Sequence, residues 1–393
     1  MKKADISKWD GIVVVSGDGL LFEVYNGLMA RSDWKEMVKK PVGVIPGGSG
    51  NGLARAINYA VGEPYDVIAV TPSVLNILKG RVCPMDLVRV ETPKECFYSF
   101  LSIGWGLMAD IDIESERLRA LGEARFAVWA VVRAIGLRKY KGKLSYRPVS
   151  GYQPKCTNKM AAEPKPKRSK TIDCHLAWSE DTPTAKKEEL QEPMFRSKSF
   201  GAHDPILDEE ADSNVRLLKF SYSSDQLDDP FLTTAPVVSP PSPVENIPHT
   251  HCTDDPVELS QDEQGITKYC PPLDQPVPDD WVVVDDEFVM VYACHQTHLS
   301  SDVLFAPEAK MDDGIMWLIV IKAGVSRAQA MYFLASLQTG DHVHIPYVDV
   351  IPIHAFRLEP LRDDSYLTVD GEVIPCCNIQ AEVLPSMARV MTR

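Results

Sequence analysis

Hydrophobic and polar positions change their period several times along this chain. Gly11 to Val15 reads GIVVV, a short β-branched apolar run that predicts a strand buried on both faces. SGDG follows, and Leu20, Leu21, Val24 and Leu28 then fall on one face of a helix. The order repeats at once: Pro41 to Ile45 predicts a second strand, PGGSGNG a second glycine turn, and Leu53, Ala54 and Ile57 a second helix. A strand, glycine turn and helix used twice predict an α/β domain with a parallel sheet. From about Val82 the pattern changes. MDLVRVETPKECFYSFLSIGWG predicts two strands around a polar turn, and GEARFAVWAVVRAIGLRKY a long helix. After Trp281, the alternating segments WVVVDDEFVMVYA, GIMWLIVIKAG and HAFRLEPL predict a mostly β domain, with MYFLASLQ a short helix among them. Between about residues 150 and 275 periodic apolar positions thin out and Pro, Ser, Lys, Asp and Glu dominate, so this stretch is expected to be a disordered insert. The expected domains are 1–80, then 81–148 together with 276–393, with the insert at 149–275.

Composition narrows the class. A net charge of −14 over 393 residues argues against bulk attraction to nucleic acid or anionic lipid, although a local basic patch remains open. The nine cysteines are odd in number, scattered and without a CxxC pair, which suits reduced thiols in a cytosolic protein. Cys174 beside His175 and Cys252 beside His251 fall in the low-complexity stretch and are weak metal candidates. MKKADISKWDG has no apolar signal-peptide core, and no run of about 18 apolar residues occurs, so membrane contact is expected to be peripheral. Pro164 to Lys170, PKPKRSK, resembles a nuclear localisation patch but reads equally as solvated charge.

The chemistry gathers at the glycine turns. Gly17-Asp18-Gly19 sits where a strand ends and a helix begins, the end at which open α/β sheets bind ligands. Glycines admit a close backbone approach, and a helix N-terminus favours phosphate. A carboxylate there repels phosphate, so Asp18 suits a different role, either accepting a proton from an attacking hydroxyl or holding magnesium. GDG alone is equally a plain turn. Gly47 to Gly52 places four glycines in six positions around Ser49, a phosphate nest that is neither a Walker loop nor the dinucleotide GxGxxG. Taken alone, Asp110, Asp112, Glu114 and Glu116 read as a solvated acidic face, and Arg119 and Arg125 as surface residues paired with Glu116 and Glu123. Asp370-Gly371 alone is a hairpin turn.

SGDGLLFEVYNGL and PVGVIPGGSGNGLA, at this separation, resemble the catalytic signature of the diacylglycerol kinase superfamily, which includes sphingosine, ceramide and bacterial lipid kinases. FLSIGWGLMADIDIESERLRALGEARF resembles the sphingosine kinases, and FRLEPL and LTVDGE agree; the resemblance covers about residues 10–148 and 275–385. It implies an ATP- and Mg2+-dependent kinase acting on the primary hydroxyl of a sphingoid base. Asp18 would be the general base, with Ser16, Gly17 and Gly19 at the substrate and Asp112 at the ammonium head of the lipid. Glu23, Gly48, Ser49, Gly50, Arg119, Arg125, Asp370, Gly371 and Glu372 would bind the nucleotide, with Asp370 also near the metal. A diacylglycerol or ceramide kinase, or a non-catalytic form holding lipid or a partner, are the alternatives.

The helix through residues 126–143 carries Phe126, Trp129 and Ile135 beside Arg133, Arg138, Lys139, Lys141 and Lys143, a pattern for a membrane surface, for calmodulin, or for a core helix with a basic end. The expected setting is the cytoplasm, with peripheral membrane association. The family pattern also implies strands and an Asn-Pro loop ahead of GDG, and the first sixteen residues hold no such sequence. The expectation is therefore a partial α/β domain with an open strand edge and a slow enzyme.

Overall fold

The computed structural model describes residues 1–63, 70–121, 124–152 and 267–393. Strand β1 (Ile12–Ser16) runs into α1 (Asp18–Met29); a short α2 (Trp34–Met37) leads to β2 (Val42–Pro46) and α3 (Gly52–Ala60). The two apolar runs pair in parallel, Ile12 opposite Val42 and Ser16 opposite Pro46. Leu21, Val24 and Leu28 of α1 and Leu53, Ala54 and Ile57 of α3 join Val14, Val42 and Val44 in one cluster. Leu20, which the spacing puts on the same face, stays 44% exposed. β1 lies at the end of the strand order and leaves Val13 and Val15 exposed.

After α4 (Val70–Lys79) come three strands where the sequence predicts two: β3 (Arg81–Glu91), β4 (Cys96–Ser99) and β5 (Ser102–Gly106). The extra break falls at Phe100-Leu101, which are fully buried and lie in no strand. Helices α5 (Leu107–Ser115) and α6 (Ala124–Ile135) lead to β6 (Tyr140–Pro148). The chain then continues through β7 (Val282–Cys294), β8 (His298–Ser300), β9 (Val303–Leu304), β10 (Met316–Lys322), α7 (Arg327–Ala335), β11 (Asp349–Pro360), β12 (Leu367–Val369), β13 (Glu372–Ile374) and β14 (Ile379–Thr392). Helix α6 stops at Ile135, and the basic residues beyond it belong to a turn and to β6, so the predicted helix is shorter than its sequence pattern.

β14 joins the two halves. It pairs in parallel with β2 at Val390 and Val42, antiparallel with β3 along most of its length, and antiparallel with β11. One sheet therefore runs from the parallel β1–β2 pair into the antiparallel strands, and it is continuous across residue 80. A bulge in β14 at Ser386, with φ 53°, is held by Asp86 of β3, whose carboxylate accepts from Ser386 N (2.6 Å) and Gly314 N (2.7 Å). Among the described residues no helix is long and apolar enough to cross a membrane.

The insert separates two adjacent strands. β6 and β7 pair antiparallel, Tyr140 opposite Phe288 and Tyr146 opposite Val282. Residues 153–266 of the expected insert lie outside the described residues. Residues 149–152 and 267–275, at the two ends of that stretch, are described. Tyr152 donates to Val350 O, while buried Glu382 accepts from the N–H groups of Lys268, Tyr269 and Cys270. Arg357 fixes the next turn through the carbonyls of Pro272 and Gln275. Tyr269 stacks on His354 and lies 4.0 Å from the Arg147 guanidinium, so the returning chain packs beside the end of β6. Replacing 153–266 with a linker of about ten residues is therefore expected to keep the fold and to stabilise it by about 2 kcal/mol, from the shorter loop closed by β6 and β7. Urea unfolding of the deleted protein checks this; an insoluble or markedly less stable product contradicts it.

Candidate active site

The two glycine turns press against each other. A Cβ on Gly48 would lie 2.4 Å from Gly17 Cα, and one on Gly17 2.9 Å from Gly48 Cα, so neither position has room for a side chain. Gly47 N donates to Ser16 O at 3.1 Å. Asn51, left-handed at φ 58°, closes the second turn: its Oδ1 accepts from Gly48 N (2.8 Å) and its Nδ2 donates to Gly48 O (2.6 Å). Sequence reasoning stopped at Gly50 and missed this residue. Its signal is an Asn between glycines immediately ahead of a helix, where the left-handed conformation is tolerated.

Asp18 crosses from the first turn to the second. Its Oδ2 accepts from Gly52 N (2.8 Å) and its Oδ1 from Leu53 N (3.3 Å), the exposed amides of the α3 N-terminus. Desolvation raises its pKa above the ordinary aspartate value, while the N–H groups of Gly52, Leu53 and Asn51 pull the other way. Ser49 and Gly48 are exposed at the tip of the loop. Between them, the two turns present a helix N-terminus, a nest of amides and one oriented carboxylate.

A second group converges from the other half of the chain. Asp112 on α5 lies 3.7 Å from where a Gly371 Cβ would be, and Glu372 Oε1 lies 2.8 Å from a Cβ position on Gly19. The β12–β13 turn thus spans from α5 to the first glycine turn. Arg125, 7% exposed, carries an Nη1 with no hydrogen-bond partner among the described residues, and its guanidinium sits 4.3 Å over the Phe126 ring. A buried cation with an unused donor suits an anionic ligand. Burial pushes the Asp112 pKa up to about 7, against the pull of Arg125 and helped by Glu116 and Glu372. Leu107 and Ile111 of α5, with Phe305, Phe333 and Leu337, form an apolar cluster that Phe126 and Trp129 also touch. Asp112 lies near that cluster, close enough for its charge to act on the buried Tyr292 hydroxyl.

Three expected groups have other partners in the structure. Asp370 is 3% exposed, and its carboxylate accepts from Ser99 Oγ (2.6 Å), Phe100 N (2.9 Å), Leu101 N (3.0 Å) and Ser102 N (2.9 Å). Asp370 and Gly371 form a two-residue hairpin turn with φ 52° and 86°, and the side chain anchors that turn to the β4–β5 connection. Glu23 is exposed on α1 and, five residues on from Asp18, is turned about 140° away around the helix. Asp110 and Glu114 are buried, so they make no solvated face: Asp110 accepts from Tyr140 Oη (2.5 Å), and Glu114 from Trp129 Nε1 (2.8 Å) and Arg138 Nη1 (3.2 Å). They fasten α5 to α6 and β6. Arg119 lies in the 3-10 turn after α5, with its side chain outside the described atoms. Among the described residues no group of three metal-binding side chains is assembled.

Fold and glycine turns are those of the diacylglycerol kinase superfamily. Residues 1–90 match the diacylglycerol kinase catalytic domain, and residues 278–392 match the YegS C-terminal NAD kinase beta sandwich-like domain. The solved structure of a putative diacylglycerol kinase from Bacillus anthracis str. Sterne superposes with a TM-score of 0.50 at 15% identity, covering 98% of this chain and 79% of that one. Mouse sphingosine kinase 1 is 30% identical over 97% of this chain and 76% of its own length. Human sphingosine kinase 2 is 34% identical over 98% of this chain, which spans 63% of that relative. The chain belongs to the sphingosine kinase family.

The Asp370 anchor generates a stability prediction. Asp370→Ala leaves three buried amides and a hydroxyl without their acceptor, at about 1–3 kcal/mol for each unpaired group. The expected destabilisation is at least about 3 kcal/mol by urea unfolding. A loss under about 1 kcal/mol contradicts the anchoring role.

Proposed function

We propose that this chain transfers the terminal phosphoryl group of ATP to the primary hydroxyl of a sphingoid base. The observation that carries this reading is Asp18, oriented by the α3 N-terminus at the meeting of two glycine turns, with a second acid, Asp112, near an apolar cluster across the β12–β13 turn. The amides of Gly48 to Gly50 and the start of α3 bind the phosphates of the nucleotide. Arg125, with its unused donor, neutralises charge on the transferred group. Asp18 takes the proton from the lipid hydroxyl as that oxygen attacks the γ-phosphorus; the bond to the bridging oxygen breaks, and ADP leaves with its electron pair. Asp112 receives the ammonium of the lipid head, while the hydrocarbon chain packs on the cluster around Leu107 and Ile111. Family names support the substrate, since the curated relatives are sphingosine kinases.

The residues present do not fit a dedicated magnesium cage, because the Asp370 oxygens are taken and no other cluster is assembled among the described residues. Magnesium is commonly held largely by nucleotide phosphates, so the reading asks for no protein cage. The proposed setting is the cytoplasm, at a membrane surface. Val128, Val131, Val132 and Ile135 of α6 are 45%, 44%, 43% and 59% exposed, which supports a peripheral contact there; calmodulin would compete for the same face. Arg138 is tied to Glu114 and Asp110, so only Lys139 and Lys141 test this contact without disturbing α5.

Turnover of ATP, Mg2+ and sphingosine by purified protein tests the chemistry. Asp18→Asn is expected to lose about 10²- to 10⁴-fold in kcat with ATP binding retained. Asp112→Asn is expected to raise KM for sphingosine about 10-fold or more, leaving KM for ATP unchanged. Near-wild-type turnover of Asp18→Asn overturns the base assignment, whereas no turnover by the unmutated protein favours the non-catalytic alternative. Equal losses for sphingosine and an N-acylated analogue favour a ceramide or diacylglycerol substrate.

A pH prediction follows from Asp112. Its carboxylate must be ionised to pair with the ammonium, and its pKa is raised to about 7. The pairing is therefore present above about pH 7 and fades as pH falls through it. KM for the lipid is expected to rise below about pH 7 in the wild type; a KM that is flat from about pH 8 to 6 contradicts the pairing.

A further inference from the structure

The segment after β7 touches the second glycine turn. Ser301 N donates to Gly50 O at 2.9 Å, and Ser300 forms a bridge with Asn51. A Cβ on Gly52 would lie 2.6 Å from Leu299 O and 3.1 Å from His298 O, so α3 begins in direct backbone contact with β8. At the far end of α3 the Tyr59 ring meets His298 edge-on, with centroids 4.9 Å apart. His298 is 3% exposed and its Nδ1 pairs with Thr297 Oγ1 at 2.8 Å. Burial, helped by Arg55, lowers its pKa to about 4, so this contact stays neutral through the working pH range. The side chain of Leu299 packs against the apolar cluster of Leu107, Ile111 and Phe305.

We infer that Leu299 is a positioning residue for Asp18: its backbone seats the N-terminus of α3 against the carboxylate, and its side chain ties that seat to the apolar cluster. This rests on the kinase reading for its meaning, but the contact itself does not depend on it. β8 lies directly against Gly52, whose amide, with that of Leu53, bonds Asp18. Both amides favour the charged carboxylate, so loosening the seat raises its affinity for a proton. A chain of physical contact therefore runs from the apolar cluster to the base through one residue of β8. The charged and titratable groups on the elements around Asp18 include Glu23 on α1, Arg55 and Tyr59 on α3, Asp110, Asp112 and Glu114 on α5, Arg125 on α6, Asp370 and Glu372 at the β12–β13 turn, and His298 and Asp302 in and after β8. Leu299→Ala changes none of them.

The test uses the full chain with Leu299→Ala, Leu299→Met and Gly52→Ala. The carboxyl carbon signal of Asp18, assigned with Asp18→Asn, is followed against pH by NMR on isotopically labelled protein. The pH profile of kcat is measured beside it. In Leu299→Ala the proton affinity of Asp18 is expected to rise about tenfold, the scale of losing one hydrogen bond to a charged group, and the acid limb of kcat to move to higher pH. Leu299→Met is expected to restore both, and Gly52→Ala, where it folds, to exceed both. A lower melting temperature in Leu299→Ala with an unmoved Asp18 titration overturns the inference and leaves Leu299 as packing alone. If no lipid is phosphorylated, the kinase reading fails separately, and the carboxyl titration still decides the positioning role.

Discussion

The contact between Gly17 and Gly48 governs the site. The two strand-to-helix turns touch through their backbones, and a methyl group on either glycine would collide with the other turn. That contact brings Asp18 across the gap to the start of α3. One carboxylate then serves twice. It satisfies amides that a helix start leaves unpaired, and it stands where a hydroxyl would be deprotonated. The opposing effects on its proton affinity follow from the same placement, since the loop that desolvates it also supplies its donors.

Around this contact the chain is arranged so that distant segments meet. β14, near the C-terminal end of the sequence, pairs with β2 and β3 and so carries the parallel strands on the antiparallel ones. Asp370 ties the β12–β13 turn to the β4–β5 connection, which places Gly371 beside Asp112 and Glu372 beside Gly19. β8 meets the start of α3 at Asn51 and Gly52. The site therefore depends on several long-range pairings at once, and its acids and cation come from α1, α5, α6 and a hairpin turn.

How much of this was legible in the sequence differs by element. The parallel pair and its two helices were visible, because β-branched runs, glycine turns and helical spacing repeat within about sixty residues. The break between β4 and β5 was not, because Phe100 and Leu101 are apolar and buried like the strands that flank them. α6 was read too long because its basic tail continues the helical composition into β6. Asp18, Asp112 and Arg125 stand out through the family resemblance and converge on the same region, whereas Asp370 looked like a ligand and serves as an anchor. No local pattern distinguishes these roles: the donors of Asp370 lie about 270 residues away, at Ser99 to Ser102. The sequence likewise hides the burial of Asp110 and Glu114, whose partners sit on α6, in the turn after it and on β6.

The central claim is that close contact between the two glycine turns builds the phosphoryl-transfer site. Its most direct test is the turnover of ATP and sphingosine by Gly48→Ala, with the melting temperature measured on the same protein. The added methyl must push the turns apart by about an ångström to reach an ordinary contact distance, and displacements of that size cost on the order of 10²-fold in rate. The account predicts such a loss in kcat with a largely retained melting temperature. A Gly48→Ala enzyme with wild-type turnover would contradict it.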